Sequence, residues 1–546
     1  MLFLIPLPAV VLIAWKYSSN LVVNWVFALL LLRVLWLSLI NPDWVTHLSN
    51  DGFIISLGLT IWIFILCQIY KSVDKHLFLN ALFILGILQV LIGITQLYTH
   101  TPIPSIPIKT AFIGTIGTPN GLGLLIVLSL FCGIYLISNS SKKLIPILGS
   151  FFLFLGLLLS ESRGSILVLF AVVGFVVILK LVGKSSKKSK IVLSLLISGV
   201  LGILIPTLYL MDVESSSGRF ILWEISWMMF KDHIWFGVGQ GNYALEFLNY
   251  QAEYLSLQEH ADLAYKASNV KQAHNEYLQA FATSGALGGV LFMSIWILPL
   301  YWMVKNEWKD LKKISTHTIN MAIHLAIVLH SFIDSPLHVF PIVLIGYTNL
   351  IISSDSILNL RIQKVYHRLG FIILTMLTLY IGYHSFSKYS GQYHWRKGVD
   401  QIDAKNWEAS IYHLSNALDY LPDKGELMYQ LGASYIFNEQ YARGFYLTNE
   451  SKKYFNDKNI FLTESYGHIQ LGEYQEAEKS ALTALSMFPT QIAPHLLLGE
   501  IYYYQNRIEE SKKSLEKCIS EDTPIKSADT NKISNEAKKL YSIFYD

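Results

Sequence analysis

The sequence predicts an all-α protein in which a polytopic transmembrane helical bundle of about 12 spans is followed by a soluble α-solenoid. The 546-residue chain is 53% hydrophobic and only 15% charged, whereas soluble globular proteins contain about 25% charged residues. The deficit of charge lies before residue 386, and the remaining residues have an ordinary soluble composition. We therefore predict a transmembrane domain at 1–386 and a soluble helical domain at 387–546.

The spans themselves are predicted from apolar runs, since a membrane-spanning helix needs about 20 mostly apolar residues. Such runs occur near 2–15, 20–40, 52–70, 77–98, 120–138, 143–160, 163–182, 191–211, 285–304, 318–334, 339–354 and 369–386. The first run is short, so we expect about 11 to 13 spans.

Positive charges in the short loops predict the orientation, because Lys and Arg are retained on the cytoplasmic side. Five basic loops alternate with loops that carry few positive charges; the basic loops lie at 71–75, 142–143, 180–190, 305–317 and 355–368. This alternation puts residues 212–284, hereafter the outer segment, and residues 387–546 on the outer side.

The outer segment is too long for a plain connector. It is rich in aromatic residues and predicts two amphipathic helices, near 219–231 and 246–268. Length alone leaves two interpretations open, which are a structural lid and a cap over an active site.

The C-terminal domain is repetitive, with a period close to 34 residues over 391–522. Trp407, Tyr441, Tyr474 and Ile508 occupy equivalent positions at spacings of 34, 33 and 34 residues. Together with recurring Gly, Ala and Pro, this period is typical of tetratricopeptide repeats. We expect about four units that pack as a solenoid and offer a concave surface to a protein partner.

Metal, disulfide and nucleic-acid chemistry find no support in the sequence. Cys67, Cys132 and Cys518 are scattered and form no paired motif. The sequence contains no HExxH motif and no Asp-rich loop, and we therefore expect no metal site and no cofactor. The net charge of +3 is small and by itself decides nothing about nucleic acid; we expect no nucleic-acid partner.

Two polar clusters at the expected outer face contain the first candidate site residues, because polar groups on an apolar background suggest function. Residues 111–123 include Asn120 among several glycines, which serve either ligand approach or tight helix packing. Residues 160–165 include Arg163. An Arg near the end of a span is often a snorkelling anchor, but here it lies against the positive-inside bias.

Two further clusters contain the remaining candidates. Residues 215–243 combine Arg219, which precedes a predicted amphipathic helix, with a Gly-rich turn. Residues 273–290 contain His274, Asn275, Gly285 and Gly288, and we expect a span to begin at Gly285. A lone His is more often structural than catalytic, but this one would lie at an outer membrane surface beside two Arg side chains.

These residue types suit chemistry on a lipid pyrophosphate. The planar, permanently charged Arg guanidinium is a preferred partner of phosphate oxygens. An imidazole accepts a proton from a hydroxyl near neutral pH. A lipid pyrophosphate at the outer leaflet would use both groups.

The spacing of the last cluster matches the signature His-(Asn/Ser/Gln)-x9-Gly-xx-Gly and resembles the O-antigen ligase family. The Gly-Thr-x-Gly-x-Pro-Asn stretch at 114–120, Ser-Arg-Gly at 162–164, Gly-Arg at 218–219 and the loop at 330–341 are also similar to that family. The resemblance covers roughly residues 50–354.

This resemblance implies a metal-independent, inverting glycosyltransferase that uses a glycan on undecaprenyl diphosphate. His274 would activate or orient the acceptor hydroxyl, and Arg163 and Arg219 would hold the diphosphate. The remaining four candidates would support the site; they are Asn120, Asn275, Gly285 and Gly288. The acceptor would be a protein or lipid A core. The solenoid is a departure from the simplest ligases, and we expect it to govern acceptor choice or assembly and to bind any protein partner.

Two alternatives remain open at this stage. A polymerase of the same superfamily would use another lipid-linked glycan as acceptor. A non-catalytic polysaccharide-export protein would show paired, interrupted helices with charges at the membrane midplane. The polar clusters lie at one face instead, which favours an interfacial enzyme. We expect a multi-pass protein of the bacterial inner membrane, with the site and the solenoid facing the periplasm.

Overall fold

The computed structural model describes residues 21–24, 29–30, 32–33, 36, 74–99, 112–182, 213–307, 314–353, 357–360, 364–520 and 527–545. The described chain is helical, which confirms the all-α prediction, apart from one short ribbon. Strand β1 (Leu21–Asn24) pairs antiparallel with β2 (Ile357–Leu360). The predicted span 20–40 is therefore wrong at its start, where the Val-Val sequence favours an extended backbone.

The helices between residues 75 and 353 belong either to the apolar runs or to the outer segment. They are α1 (Lys75–Thr99), α2 (Pro119–Asn139), α3 (Leu144–Leu159), α4 (Arg163–Val182), α5 (Val213–Asp232), α6 (Tyr243–Ser256), α7 (Glu276–Glu307), α8 (Thr316–His330) and α9 (Phe340–Ser353). Among the residues that the structure describes, four stretches are long and apolar enough to cross a membrane: Lys75–Leu97, Pro119–Asn139, Arg163–Lys180 and Glu276–Lys305. Helices α3 and α9 are apolar but shorter. The protein is thus a multi-pass membrane protein.

The total of about 12 spans stays a prediction. The candidate spans 2–15, 52–70 and 191–211 lie outside the described residues. The run at 285–304 corresponds to the part of α7 that follows a break at Gly285, where the backbone is not helical. The helical turns from Glu276 to this break precede the predicted span.

Helix α2 lies at the centre of the bundle, with 78% of its apolar stretch buried. It packs against α1, α3, α4 and α8. Gly123 allows α2 to approach α4 closely, since an added Cβ would lie 2.6 Å from Ser162 Cβ. By contrast, α3 exposes Leu144, Ile145 and Phe151, as expected of a helix that faces lipid.

The outer segment is mostly ordered into helices, but not quite as predicted. Helix α5 begins at Val213, six residues before Arg219, and a 3-10 helix at Gln258–Lys266 follows α6. The predicted helix 246–268 is therefore divided in two. Leu257 is extended, which folds the chain back so that the His260 ring stacks on Tyr254 at 3.9 Å between centroids.

The C-terminal helices alternate as the repeat predicts. They are α10 (Lys364–Asp403), α11 (Trp407–Tyr420), α12 (Gly425–Phe437), α13 (Tyr441–Ser451), α14 (Lys458–Gln470), α15 (Tyr474–Met487), α16 (Ile492–Tyr504), α17 (Ile508–Ile519) and α18 (Ala528–Tyr545). The four residues at equivalent repeat positions each begin a helix: helices α11, α13, α15 and α17 begin at Trp407, Tyr441, Tyr474 and Ile508. Each of these helices packs against the helix before it. A solenoid of about four units, and the boundary at 386 that α10 crosses, stay predictions.

The C-terminal helices also contact the outer segment. Met487 and Phe488 at the end of α15 join a buried apolar cluster with Ile225 of α5 and Phe247 of α6. The outer segment therefore packs against these helices as well as against the membrane bundle.

Candidate active site

The turn that follows α8, residues 330–334, contacts most of the elements that contain candidate site residues. Its backbone folds back on itself, with Ile333 N and Asp334 N both donating to His330 O. The N-terminus of α7 is attached to the same turn, because Glu276 N donates to Ser331 O at 2.9 Å. The 330–334 turn is therefore the structural centre of the site.

His274 contacts this turn through Asp334. Its Nδ1 lies 2.8 Å from Asp334 Oδ1. A carboxylate only accepts hydrogen bonds, so Nδ1 is the donor, and in the neutral ring Nε2 is then the acceptor. The His274 side chain is 37% exposed, against 14% for Asp334. Within the described residues no group bonds to Nε2, which leaves this nitrogen open to a substrate hydroxyl.

The backbone of His274 is strained, with a φ of 49°. Non-glycine residues in the left-handed region cost about 1 kcal/mol or more and persist only where the surroundings impose them. Glu161, next to the Ser-Arg-Gly cluster, has a similar φ of 52°. Strain of this kind is frequent at functional sites.

Asp334 is held as an anion. Burial by itself would raise the pKa of its carboxyl, but the hydrogen bonds from His274 and from Ser335 N keep that pKa well below its ordinary value. Asp334 therefore provides a fixed negative charge next to the His274 ring.

Arg219 contacts the residue that precedes Asp334. Its Nη1 donates to Ile333 O at 2.9 Å. Arg219 lies inside α5 and does not precede a helix as the sequence suggested. Polar Ser and Glu residues at 214–217 form the first turn of α5 without breaking it, which explains the difference.

Arg163 is the first residue of α4, and its immediate neighbours contact the same turn. A Cβ added to Gly164 would lie 2.9 Å from Ile333 Cδ1, and Ser165 Oγ lies 3.2 Å from His330 Nε2. The structure therefore brings the helix start that contains Arg163 to the turn that contacts Arg219 and His274.

Asn120 is connected to this turn through hydroxyl groups. Its Oδ1 lies 3.0 Å from Ser162 Oγ, which lies 2.8 Å from Ser165 Oγ. Ser165 in turn contacts His330. Asn120 thus stabilises the approach of α2 to α4 and to the turn.

Asn275 has a local role at the start of α7. Its Oδ1 accepts from Leu278 N at 3.0 Å, which is the hydrogen bond of a helix N-cap. It therefore fixes the direction in which α7 leaves His274.

Gly285 lies at a break in α7, which agrees with the prediction that a span begins there, and Gly288 lies in the helical stretch that follows the break. Gly285 has φ 68° and interrupts the helix, and an added Cβ would lie 2.2 Å from Trp235 O. The Gly-rich turn of the outer segment occupies this break, where Val238 N donates to Ala282 O and Ala286 N donates to Ile234 O. At Gly288 an added Cβ would lie 2.4 Å from Ser284 Cβ and 3.0 Å from Trp36 Nε1. Both glycines serve close packing here.

The sequence did not single out Asp334, Glu276 or His338. Glu276 Oε1 accepts from Leu337 N at 2.6 Å and lies 3.2 Å from His338 Nδ1. Burial lowers the pKa of His338, but the Glu276 carboxylate raises it by more, so the net pKa lies above the ordinary value. An outer loop that is poor in positive charge yet contains an Asp and two His was the available signal.

Comparison with known families finds two matches. Residues 148–293 match the family described as O-antigen ligase, and residues 493–523 match the tetratricopeptide repeat. The first match includes Arg163, Arg219 and His274, and ends before the 330–334 turn. No curated protein matches the chain significantly. These matches confirm both resemblances noted in the sequence.

Proposed function

We propose that this protein, a multi-pass membrane protein of the O-antigen ligase family with a C-terminal tetratricopeptide region, transfers a glycan from a polyprenyl diphosphate to an acceptor hydroxyl. The observation that carries the proposal is the His274–Asp334 pair. It leaves one unprotonated ring nitrogen open, beside a turn that two Arg-bearing helices also contact.

The chemistry needs one proton acceptor. The acceptor oxygen attacks the anomeric carbon, its proton passes to His274 Nε2, and the bond from that carbon to the diphosphate oxygen breaks. Asp334 stabilises the positive charge that then forms on the imidazole ring, because its carboxylate is already hydrogen-bonded to Nδ1. Attack opposite the leaving group inverts the anomeric centre.

The leaving group departs with the bonding electron pair as a diphosphate, so negative charge develops away from His274. Arg163 and Arg219 are suited to stabilise this charge, since a guanidinium donates two parallel hydrogen bonds to phosphate oxygens. Residues with such a role commonly contribute about 3 to 4 kcal/mol to the transition state. In this proposal no metal ion takes part.

The proposed location is the outer face of a bacterial cytoplasmic membrane, where a lipid-linked glycan is presented. The alternation of basic loops supports it. Reporter fusions at residues 185 and 310 should report the cytoplasm, and fusions at 250 and 450 the outside. A cytoplasmic signal at 450 would contradict the orientation.

Reconstituted transfer tests the function itself. Purified protein in liposomes should consume an undecaprenyl-diphosphate glycan and release undecaprenyl diphosphate only when an acceptor is added. Parallel reactions with a hydroxyl-bearing protein, lipid A core and a second lipid-linked glycan separate a protein transferase, a ligase and a polymerase. Absence of release with all three acceptors, from protein that still binds donor, would refute glycan transfer.

A further inference from the structure

The outer segment is joined to the C-terminal helices through a buried glutamine. Gln251 of α6 is 1% exposed. Its Nε2 donates to Met487 O at the end of α15, at 2.9 Å, and its Oε1 accepts from Ser268 N at 3.1 Å. One side chain thus connects the C-terminal domain to the segment that leads to His274.

A second contact joins the same segment to the same domain. Asn269 Nδ2 donates to Asp457 Oδ2 at 2.5 Å. The other oxygen of Asp457 accepts from Asn459 N at 2.8 Å and caps α14, so the carboxylate is held in place from its own side. Asn456 reinforces the junction by donating to Leu245 O at 3.1 Å.

Residues 267–275 connect this junction directly to His274 and have no regular secondary structure. Their other end is held by α7, because Ala273 N donates to Gln279 Oε1 at 2.9 Å. Ala273 is fully buried, in the same apolar cluster as Met487 and Phe488. The position of this segment therefore depends on side-chain contacts at both ends.

The strained backbone of His274 makes this dependence important. A left-handed φ at a non-glycine residue persists only where its surroundings over-determine it. The contacts to α7 and Asp334 constrain His274 from the membrane side, and those at Ser268 and Asn269 constrain it from the C-terminal domain.

We infer that the C-terminal domain positions the catalytic histidine: Asp457 and the Met487 carbonyl, through Asn269 and Gln251, hold the segment that fixes the backbone of His274. The inference rests on the proposed function for the role of His274. It makes Asn269, Gln251 and Asp457 positioning residues. The domain is then a part of the catalytic unit, in addition to any role in acceptor choice.

A side-chain swap tests this inference without truncating the protein. Asn269→Asp places two carboxylates against each other and should open the junction. Asp457→Asn keeps a group that caps α14 equally well. The double variant Asn269→Asp/Asp457→Asn restores a hydrogen bond with the roles of donor and acceptor exchanged. Glu450→Gln, at an exposed pair with Lys453, is the matched control for loss of charge in this domain.

Two measurements distinguish an opening of the junction from a direct loss of glycan transfer. In Asn269→Asp, amide hydrogen exchange over residues 267–275 should become about tenfold faster or more, since a hydrogen bond to a charged group is lost. The kcat for glycan transfer should fall about ten- to a hundredfold with an unchanged KM for the donor, because His274 is displaced while the diphosphate contacts stay. The double variant should recover both values.

The possible results are distinct. Rescue of exchange and of kcat by the double variant establishes the positioning role. Normal exchange in Asn269→Asp, or a loss of kcat that the double variant does not recover, overturns it. If the wild-type protein transfers no glycan, the proposed function fails, and the exchange readout alone still decides whether the domain holds the segment.

Discussion

Replacing Asp334 with asparagine removes the negative charge next to His274 while preserving the size of the side chain. Asp334 Oδ1 accepts from both His274 Nδ1 and Ser335 N, each at 2.8 Å. An asparagine oxygen at the same position can accept both bonds. The variant therefore separates the charge of Asp334 from its role in orienting the imidazole.

The expected loss follows from these two bonds. A hydrogen bond to a charged group contributes about 1.5 kcal/mol more than a neutral one. That difference acts on the protonated ring in the transition state and corresponds to about a tenfold lower kcat. If the amide instead turns its NH2 toward His274, the wrong tautomer is favoured and the loss approaches about 10,000-fold, as for the equivalent change in a serine protease.

Single-turnover transfer in liposomes, with donor binding measured separately, is the assay for Asp334→Asn. We expect kcat to fall at least about tenfold with donor binding retained. Asp262→Asn, an exposed residue of the same outer segment, is the control with the same change in charge. A wild-type rate in Asp334→Asn at equal protein level would refute the role of the His274–Asp334 pair.

Three further predictions concern the diphosphate, the fold and pH. Arg163→Ala and Arg219→Ala should each lower the rate of transfer about a hundredfold or more, and Arg→Lys at either position should recover only part of that rate. Full activity of both Ala variants at normal expression would show that the two arginines are only anchors. Gly285→Ala should lower the free energy of unfolding by about 2 kcal/mol or more in a thermal unfolding assay, since the φ of Gly285 is 68° and an added Cβ would lie 2.2 Å from Trp235 O. Gly382→Ala is the control, because a Cβ added there meets nothing within 4 Å. Equal melting temperatures of the two variants would contradict the packing argument. The stability contributed by the Asp334 carboxylate should be kept as the medium is acidified from about pH 8 to pH 5, because its pKa is held well below the ordinary value. This contribution is complete above the unfolded pKa and is lost only as pH falls through the folded pKa, below this window. A difference in melting temperature between the wild-type protein and Asp334→Asn that disappears within this window would contradict this assignment.

Helix positions in the membrane part were largely predictable because the apolar runs end at polar or glycine-rich sequence. The span predicted at 163–182 is observed as Arg163–Val182, and 120–138 as Pro119–Asn139. The helical turns from Glu276 to the break at Gly285 were missed, because Glu276 and Gln279 made them resemble a loop. Hydrophobic periodicity indicates a helix that buries one apolar face. It gives no signal for helical turns whose buried residues are polar.

The site was only partly predictable. His274, Arg163 and Arg219 follow from residue type and expected topology, but Asp334 is 60 residues from His274 and is brought to it by the packing of α7 against α8. The spacing of residues within a local sequence motif therefore cannot predict this contact.

The junction between the outer segment and the C-terminal helices was also not predictable. Gln251 and Asn269 resemble ordinary surface residues in the sequence, and their partners lie more than 180 residues away. The burial of Gln251 arises from the tertiary packing of α6 against α15, and the exposed Asn269 reaches Asp457 only because that packing brings the two segments together.

The role of His274 is tested most directly by transfer with purified His274→Asn and His274→Ala proteins in liposomes. Asparagine adopts the left-handed backbone more readily than other non-glycine residues, so the first variant removes the base with little change in strain. Both variants should bind the lipid-linked donor as the wild-type protein does and form no product. Glycan transfer at the wild-type rate by either purified variant would contradict the assignment of His274 as the base.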